Sequence, residues 1–212
     1  MNVAKVGAAL LRMDAARIAK LLKTRWMSRT FPHGMHYRDE AARFDRLYLV
    51  RDPWSMNCER EEFRFKETNR VVTENFDRPH DLLEIGCGEG LQSNEFRLVC
   101  DHLYAIDVST RAVRRAKRRC PKATFAVANM YVLPQSIPLT RFDLVTACEV
   151  LYYMADVPRA LKRLSELGQG CLVSYYDGVR EGLHAHVAEV PGVQFELVSY
   201  EGFSWTFAWW RA

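Results

Sequence analysis

The sequence predicts an α/β protein built on a mostly parallel β-sheet, with a helical extension ahead of it. Three observations predict it. From residue 81 onward, short apolar runs alternate with helix-like runs, the order expected of parallel strands joined by crossover helices. Those apolar runs are nearly continuous, as in strands buried on both faces. The closing stretch QFELVSYEGFSWTFAWWRA breaks the rhythm. Its two β-rich runs meet at Glu201-Gly202, which marks a hairpin and adds one antiparallel strand to the sheet.

Taken in order, DLLEIG (81–86) is an apolar strand and 90–100 is helical in pattern. HLYAIDV (102–108) reads as the second strand, and STRAVRRAKRRC (109–120) opens with a Ser/Thr cap and runs on as a basic helix. ATFAVANM (123–130) is a third strand and RFDLVTACEV (141–150) a fourth. DVPRALKRLSEL (156–167) begins with an Asp cap and a proline in its first turn, a strong helix start. GCLVSYYD (170–177) is the fifth strand, followed by a short helix to about residue 189; the hairpin then brings the sheet to seven strands. Ahead of the sheet, residues 3–24 form an amphipathic helix, with Val3, Val6, Leu10, Leu11, Ile18, Leu21 and Leu22 opposite Lys5, Arg12 and Lys23. A turn-rich loop, TFPHGMHYRDE, precedes helices over 41–50 and 59–75. Residues 1–80 are thus expected to be a helical lid, and 81–212 the sheet domain.

At 212 residues, with 49% apolar and 26% charged residues, the chain has the composition of an ordinary globular protein with one substantial core. No apolar run reaches the ~18–20 residues of a membrane span, and VGAALL is too short for a signal peptide, so a cytoplasmic location is expected. Six widely spaced cysteines without a C-x-x-C pair predict neither disulfides nor a structural zinc site, and no metal is expected. The net charge of +4 is uneven: residues 1–30 hold seven basic residues against Asp14 alone. That leading helix could contact the core, a partner or an anionic membrane surface, with docking on the core preferred. The basic run RAVRRAKRR is expected to be a solvated helix face away from the site rather than a nucleic-acid surface.

In open parallel sheets ligands bind at the carboxyl ends of the strands, where the strand order reverses. The first strand ends in Gly86-Cys87-Gly88-Glu89-Gly90, whose glycines let backbone approach a ligand, just before a helix N-terminus with free N–H groups. Asp107 ends the second strand, 21 residues beyond Gly86, where a carboxylate can hold two ribose hydroxyls. The pattern E-x-G-x-G-x-G is not the dinucleotide G-x-G-x-x-G, and Glu84 at its mouth would repel a pyrophosphate. A cationic or amino-acid head suits it better, which points to S-adenosylmethionine (SAM) over NAD.

At this point the sequence resembles a family. EIGCGEG, the acid Asp107, ANMYVLP after the third strand and RFDLVTACEVLYYM around the fourth are similar to the motifs of class I SAM-dependent methyltransferases, over about 81–176. More narrowly, RDPW (51–54), LEIGCGEG and CEVLYYM resemble the nodulation protein S group of N-methyltransferases, which act on a deacetylated chitooligosaccharide. The resemblance implies a Rossmann-like fold with a seven-stranded sheet and a C-terminal antiparallel hairpin. It implies that Glu84, Gly86, Cys87, Gly88 and Gly90 form the SAM loop, that Asp107 holds the ribose and that Val108 packs on the adenine. Asn129 stands where many relatives have aspartate; it can accept from the adenine amino group through its carbonyl oxygen, with the N–H of Met130 reaching the ring. Glu149 to Tyr152 would line the methionine end.

For methyl transfer a protein must align a nucleophile and exclude water. Glu149 and Tyr152 are the catalytic candidates, with Glu149 placed to hold a substrate amine or take its proton. An aromatic plane beside a carboxylate suits a sugar or amine, so Asp52 and Trp54, with Tyr37, Tyr153, Tyr175 and Tyr176 on the rim, are the candidate acceptor contacts; His33 and His36 are weaker candidates for direct chemistry, a free histidine being more often structural. Three functional classes remain. The chain is expected to methylate an amino or hydroxyl group of a small polar acceptor, a saccharide or saccharide-containing metabolite. An RNA or nucleotide methyltransferase should carry an amine-clamping D/N-P-P-Y motif where CEVLYYM stands. A non-catalytic partner subunit should have lost the glycine loop or Asp107, and both are intact.

Overall fold

The computed structural model describes residues 41–137 and 141–212, which all lie in one compact unit. The elements in order are α1 (Ala41–Leu47), α2 (Glu59–Asn75), β1 (Asp81–Ile85), α3 (Leu91–Phe96), β2 (His102–Asp107), α4 (Thr110–Arg119) and β3 (Thr124–Val127). There follow β4 (Phe142–Cys148), α5 (Val157–Leu167), β5 (Gly168–Tyr176), α6 (Arg180–Ala188), β6 (Gln194–Tyr200) and β7 (Phe203–Arg211). Seven strands form one sheet in the order β3-β2-β1-β4-β5-β7-β6. All pairings are parallel except those of β7, which runs antiparallel to both β5 and β6. The order reverses between β1 and β4, which opens a crevice at their carboxyl ends.

Pleating sends successive side chains to opposite faces, and both faces are covered. Leu83, Val145 and Val173 pack against Leu161 and Leu164 of α5 and Val187 of α6. Leu82, Leu144, Leu172 and Phe207 pack against Val71, Val72 and Phe76, in and just after α2. That double burial is why the strands read as continuous apolar runs. Two helix starts follow their caps: the Ser109 hydroxyl accepts from Ala112 N–H at 3.2 Å and the Asp156 carboxylate from Arg159 N–H at 3.0 Å.

Residues 59–75 form a helix as the pattern predicts, but α2 is a layer of the sheet domain rather than part of a lid. Val71 and Val72 are fully buried on the sheet, each contributing about 1.5–3 kcal/mol. Phe63 stacks on Tyr200 at 4.7 Å, and Arg70 pairs with Glu196 of β6. The expected boundary at residue 80 is therefore no boundary in packing; among the described residues only 41–58 lie ahead of the covering helices. The amphipathic helix at 3–24, its docking, and Tyr37, His33 and His36 fall outside the described residues.

Three elements end earlier than their patterns suggest. The helix expected over 41–50 stops at Leu47, because the Arg115 guanidinium takes the carbonyls of Tyr48 (2.7 Å) and Val50 (2.9 Å). The helix expected over 90–100 tightens after Phe96 into i→i+3 bonds, Leu98 N–H to Glu95 and Val99 N–H to Phe96. The third strand stops at Val127, since the Asn129 side-chain oxygen accepts from the N–H groups of Tyr131 (2.9 Å) and Val132 (3.0 Å) and turns the chain. No helix among the described residues is long and apolar enough to cross a membrane.

Candidate functional site

A cavity of about 390 Å³ lies at the carboxyl ends of β1, β2 and β4, between the sheet and residues 44–64. That size is in the range of small-molecule sites, roughly 300–1,000 Å³. Its floor is the loop after β1. Gly86 and Gly90 both have left-handed backbone, φ +76° and +78°. A Cβ at Gly90 would stand 2.9 Å from the backbone of Ala116 in α4, so only glycine lets the loop press on that helix. A Cβ at Gly86 would meet Val150 Cγ2 at 2.5 Å.

At one end of the cavity, Asp107 is buried and accepts from Gly88 N–H (2.9 Å) and Ser109 N–H (2.8 Å). Each carboxylate oxygen retains a lone pair for a further donor. Burial pushes this carboxyl up to about 6, against the pull of those two N–H groups. Glu84, also buried, accepts from the Ser93 hydroxyl; burial raises it to about 7, partly offset by that hydroxyl and by Arg64.

Arg64 of α2 lies at the other end and is 1% exposed. Its Nε donates to Glu61 at 2.8 Å and its Nη1 to Gln92 Oε1 at 3.4 Å. Gln92 Nε2 is buried and has no hydrogen-bond partner among the described residues. A buried donor without an acceptor costs about 1–3 kcal/mol, so the pair Arg64–Gln92 is suited to a ligand carboxylate.

Glu149 follows β4 with left-handed backbone, φ +59°, unusual for a residue with a side chain. Its N–H donates to Ser174 carbonyl at 2.8 Å, and its carboxylate accepts from the Ser174 hydroxyl (3.2 Å) and the Tyr152 hydroxyl (3.1 Å). Burial raises its carboxyl, and Arg64 opposes the rise. Burial, with Glu149 beside it, pushes the Tyr152 phenol far above its ordinary range, so it stays a donor at neutral pH. Above this pair the wall is aromatic: Tyr153 lies 4.4 Å from Tyr152, 5.5 Å from Trp54 and 5.6 Å from Phe44, ring centre to ring centre. Trp54 Nε1 donates to the Tyr48 hydroxyl at 3.2 Å.

The profile of a family described as "Methyltransferase domain" matches residues 83–168, which contain the glycine loop, Asp107 and Glu149. Residues 83–168 are similar to that family, and the fold of the chain is that of the class I methyltransferases. Nodulation protein S of Rhizobium tropici is 25% identical over 158 residues, 69% of this chain and 66% of that protein. The Bradyrhizobium diazoefficiens protein of that name is 28% identical over 53% of this chain and 54% of its own length. A ubiquinone biosynthesis O-methyltransferase of Rhodopseudomonas palustris is 34% identical over 41% of this chain and 34% of its own. The chain thus spans between a third and two thirds of these relatives. Among solved structures, the N-methyltransferase NodS from Bradyrhizobium japonicum with S-adenosyl-L-homocysteine (SAH) matches with a TM-score of 0.66 at 21% identity, over 81% of this chain and 97% of that one. The N-terminal domain of EvdMO1, solved in the presence of SAH and D-fucose, matches at 0.58 and 17%, over 85% and 100%.

The fold gathers most of the residues singled out from the sequence around one cavity. Gly86, Cys87 and Gly88 line its floor; Val108, Asn129 and Met130 line it beside Asp107; and Tyr153, Tyr176, Asp52 and Trp54 stand around the mouth. Gly90 does not line it, because it is pressed on Ala116 and opens α3. Tyr175 is no acceptor contact: it is fully buried on the other face, bonded to His184 Nδ1 at 2.7 Å, since consecutive strand residues point opposite ways. The Asn129 oxygen is committed to its own turn, which leaves the side-chain NH₂ as the group that can address an adenine. The Asp52 carboxylate caps a turn, accepting from Met56 N–H (2.6 Å) and Asn57 N–H (3.3 Å).

Sequence reasoning missed Arg64, Gln92 and Tyr48. A signal existed for the first: Glu61 and Arg64 share the helix stripe of Phe65, Thr68, Val71 and Val72, and a charge pair inside an apolar stripe is buried. The basic helix α4 also departs from expectation. Arg111 pairs with Asp45, Arg115 with Glu89, and Arg119 Nε donates to the Glu89 carbonyl at 3.0 Å, so one stripe of the helix is tied to α1 and the glycine loop, while Arg114, Lys117, Arg118 and Arg119 remain exposed.

Proposed function

We propose that this chain is a SAM-dependent methyltransferase acting on the amino group of a small polar acceptor that carries a saccharide. One observation carries the reading: the cavity's two ends complement the two ends of SAM. Asp107 would accept from the ribose hydroxyls at one end, and the Arg64 guanidinium with Gln92 Nε2 would hold the α-carboxylate at the other. Glu84 and Glu149 favour positive charge between them. Bound SAM would supply an electrophilic methyl on a sulfonium.

The protein's own part is alignment, water exclusion and handling of one proton. Tyr152 and Ser174 fix the Glu149 carboxylate. Its burial raises its basicity, which suits taking a proton from an ammonium. An amine ionises near pH 8–10, within reach of such a carboxylate, whereas an alcohol is far more demanding. The rings of Trp54, Tyr152 and Tyr153 would pack on a sugar face and stabilise the charged methylated amine. Two of the similar proteins' names point in this direction, an N-methyltransferase and a domain solved with D-fucose, whereas the O-methyltransferase of Rhodopseudomonas palustris favours a hydroxyl acceptor. The basic helix lends no support to an RNA substrate, since none of its residues lines the cavity and Arg111 and Arg115 are bound to the protein's own carboxylates and carbonyls.

Calorimetric titration with SAM and SAH, with NAD as control, tests the cofactor. Micromolar adenosyl binding that is lost in Asp107→Ala supports it, and binding of NAD alone refutes it. A mass-detected screen of amino sugars against their N-acetyl and hydroxyl analogues then tests the acceptor. Methylation of the hydroxyl analogue at an equal rate rejects the amine.

A further inference from the structure

The stretch 48–54 carries the acceptor wall, and a carboxylate of the cofactor loop holds it. Glu89, at the centre of the glycine loop and 8% exposed, accepts from Asp52 N–H at 3.0 and 3.1 Å through its two oxygens. The same carboxylate pairs with Arg115 of α4. Arg115 in turn takes the carbonyls of Tyr48 and Val50, so one guanidinium binds both the stretch and the loop. One turn earlier on α4, Asp45 of α1 accepts from Ser109 Oγ (2.8 Å), Arg111 N–H (2.9 Å) and the Arg111 guanidinium. Ser109 N–H also donates to Asp107. The contacts just named for Asp45, Tyr48, Val50 and the Asp52 N–H therefore end on a residue within two positions of a candidate cofactor ligand or on α4.

We propose that Glu89, held by Arg115, is a positioning residue that couples cofactor binding to the placement of the acceptor wall. The inference rests on the SAM reading above. A cofactor that fixes the loop at Gly86–Gly88 fixes Glu89, and through it Asp52 and Trp54. By reciprocity, a wall held in place raises cofactor affinity. An acceptor therefore meets an ordered wall only when the donor is already bound.

Amide exchange by mass spectrometry on the full chain, with and without SAH, tests this. In the unaltered protein SAH should slow exchange in both 86–93 and 48–57. In Arg115→Ala protection of 86–93 should persist, that of 48–57 should vanish, and SAH should bind about ten-fold more weakly, as expected when about a tenth of the molecules hold the competent arrangement. Glu89→Gln keeps an acceptor for Asp52 N–H but loses the ion pair, and should fall between the two. Arg115→Lys decides the matter if the alanine variant does not fold: it should recover part of the 48–57 protection. Protection of 48–57 that survives in Arg115→Ala, or that is undiminished in Glu89→Gln, or that never appears in the unaltered protein while 86–93 is protected, overturns the coupling. No protection anywhere, with no SAH binding, removes the SAM reading itself and this inference with it.

Discussion

Asp107 and Glu84 are carboxylates whose burial works against their charge, at about 6 and about 7. In the unfolded chain the same groups titrate near 4. Between about pH 4 and about pH 7 the folded protein therefore binds more protons than the unfolded one, and the contribution of these groups to stability falls as pH rises through that window. A cationic ligand whose ribose donates hydrogen bonds favours the ionised forms, so binding releases protons. SAM affinity should weaken as pH drops from about 7.5 to about 5.5, by up to about ten-fold per unit for each proton; titration at several pH values measures it. Asp107→Asn should flatten that profile and weaken binding by about 10–100-fold, the worth of hydrogen bonds to a charged group. Gly90→Ala forces a side chain into left-handed backbone and against Ala116; it should cost about 1–3 kcal/mol and lower the melting temperature by about 2–4 °C per kcal/mol. Loop, acid and the Glu149–Tyr152 pair were legible as residues because their chemistry is local. Tyr175 was not: which of two consecutive tyrosines faces a site is a matter of parity, and the uninterrupted apolar run before them carries no parity.

Among the elements, α2 serves both fold and site. Its Val71–Val72 face holds the sheet, while Glu61 and Arg64, on the same stripe, meet the cavity. Breaking that pair by Arg64→Ala leaves the buried Glu61 carboxylate with Arg60 as its remaining partner, and should cost about 1–3 kcal/mol. Replacing both partners, Glu61→Met with Arg64→Met, should recover most of the stability in thermal melts yet leave SAM binding weak; recovery of both would assign Arg64 to the fold alone. Asp156→Ala removes a helix cap that does not line the cavity and should cost about 1 kcal/mol with SAM affinity little changed. The ends of α2 were readable in the sequence because its acidic first turn and apolar stripe are intrinsic to the helix. The ends of α1 and β3 were not, since a guanidinium from another helix ends the first and a side-chain turn ends the second.

For the molecule as a whole, the count and direction of the strands follow from the rhythm of the sequence, and the sheet's reversal between β1 and β4 locates the crevice. What sequence could not supply is that a helix reading as solvated would fasten the approach to the site, because ion pairs across the fold leave no periodic trace. The sheet order has a further consequence for how the protein is made. β7 lies between β5 and β6, although it leaves the ribosome after both. Until it emerges, β5 is an open edge and β6 has no neighbour, and the buried surface that Trp205, Phe207 and Trp210 will cover is bare. A nascent chain stalled before Phe203 should therefore be a chaperone client or aggregate, and deletion of 203–212 should yield insoluble protein, where solubility in lysate gives the answer. Synthesis, on this account, closes the domain with its last strand, and the cavity acquires its final wall only when translation of that strand is complete.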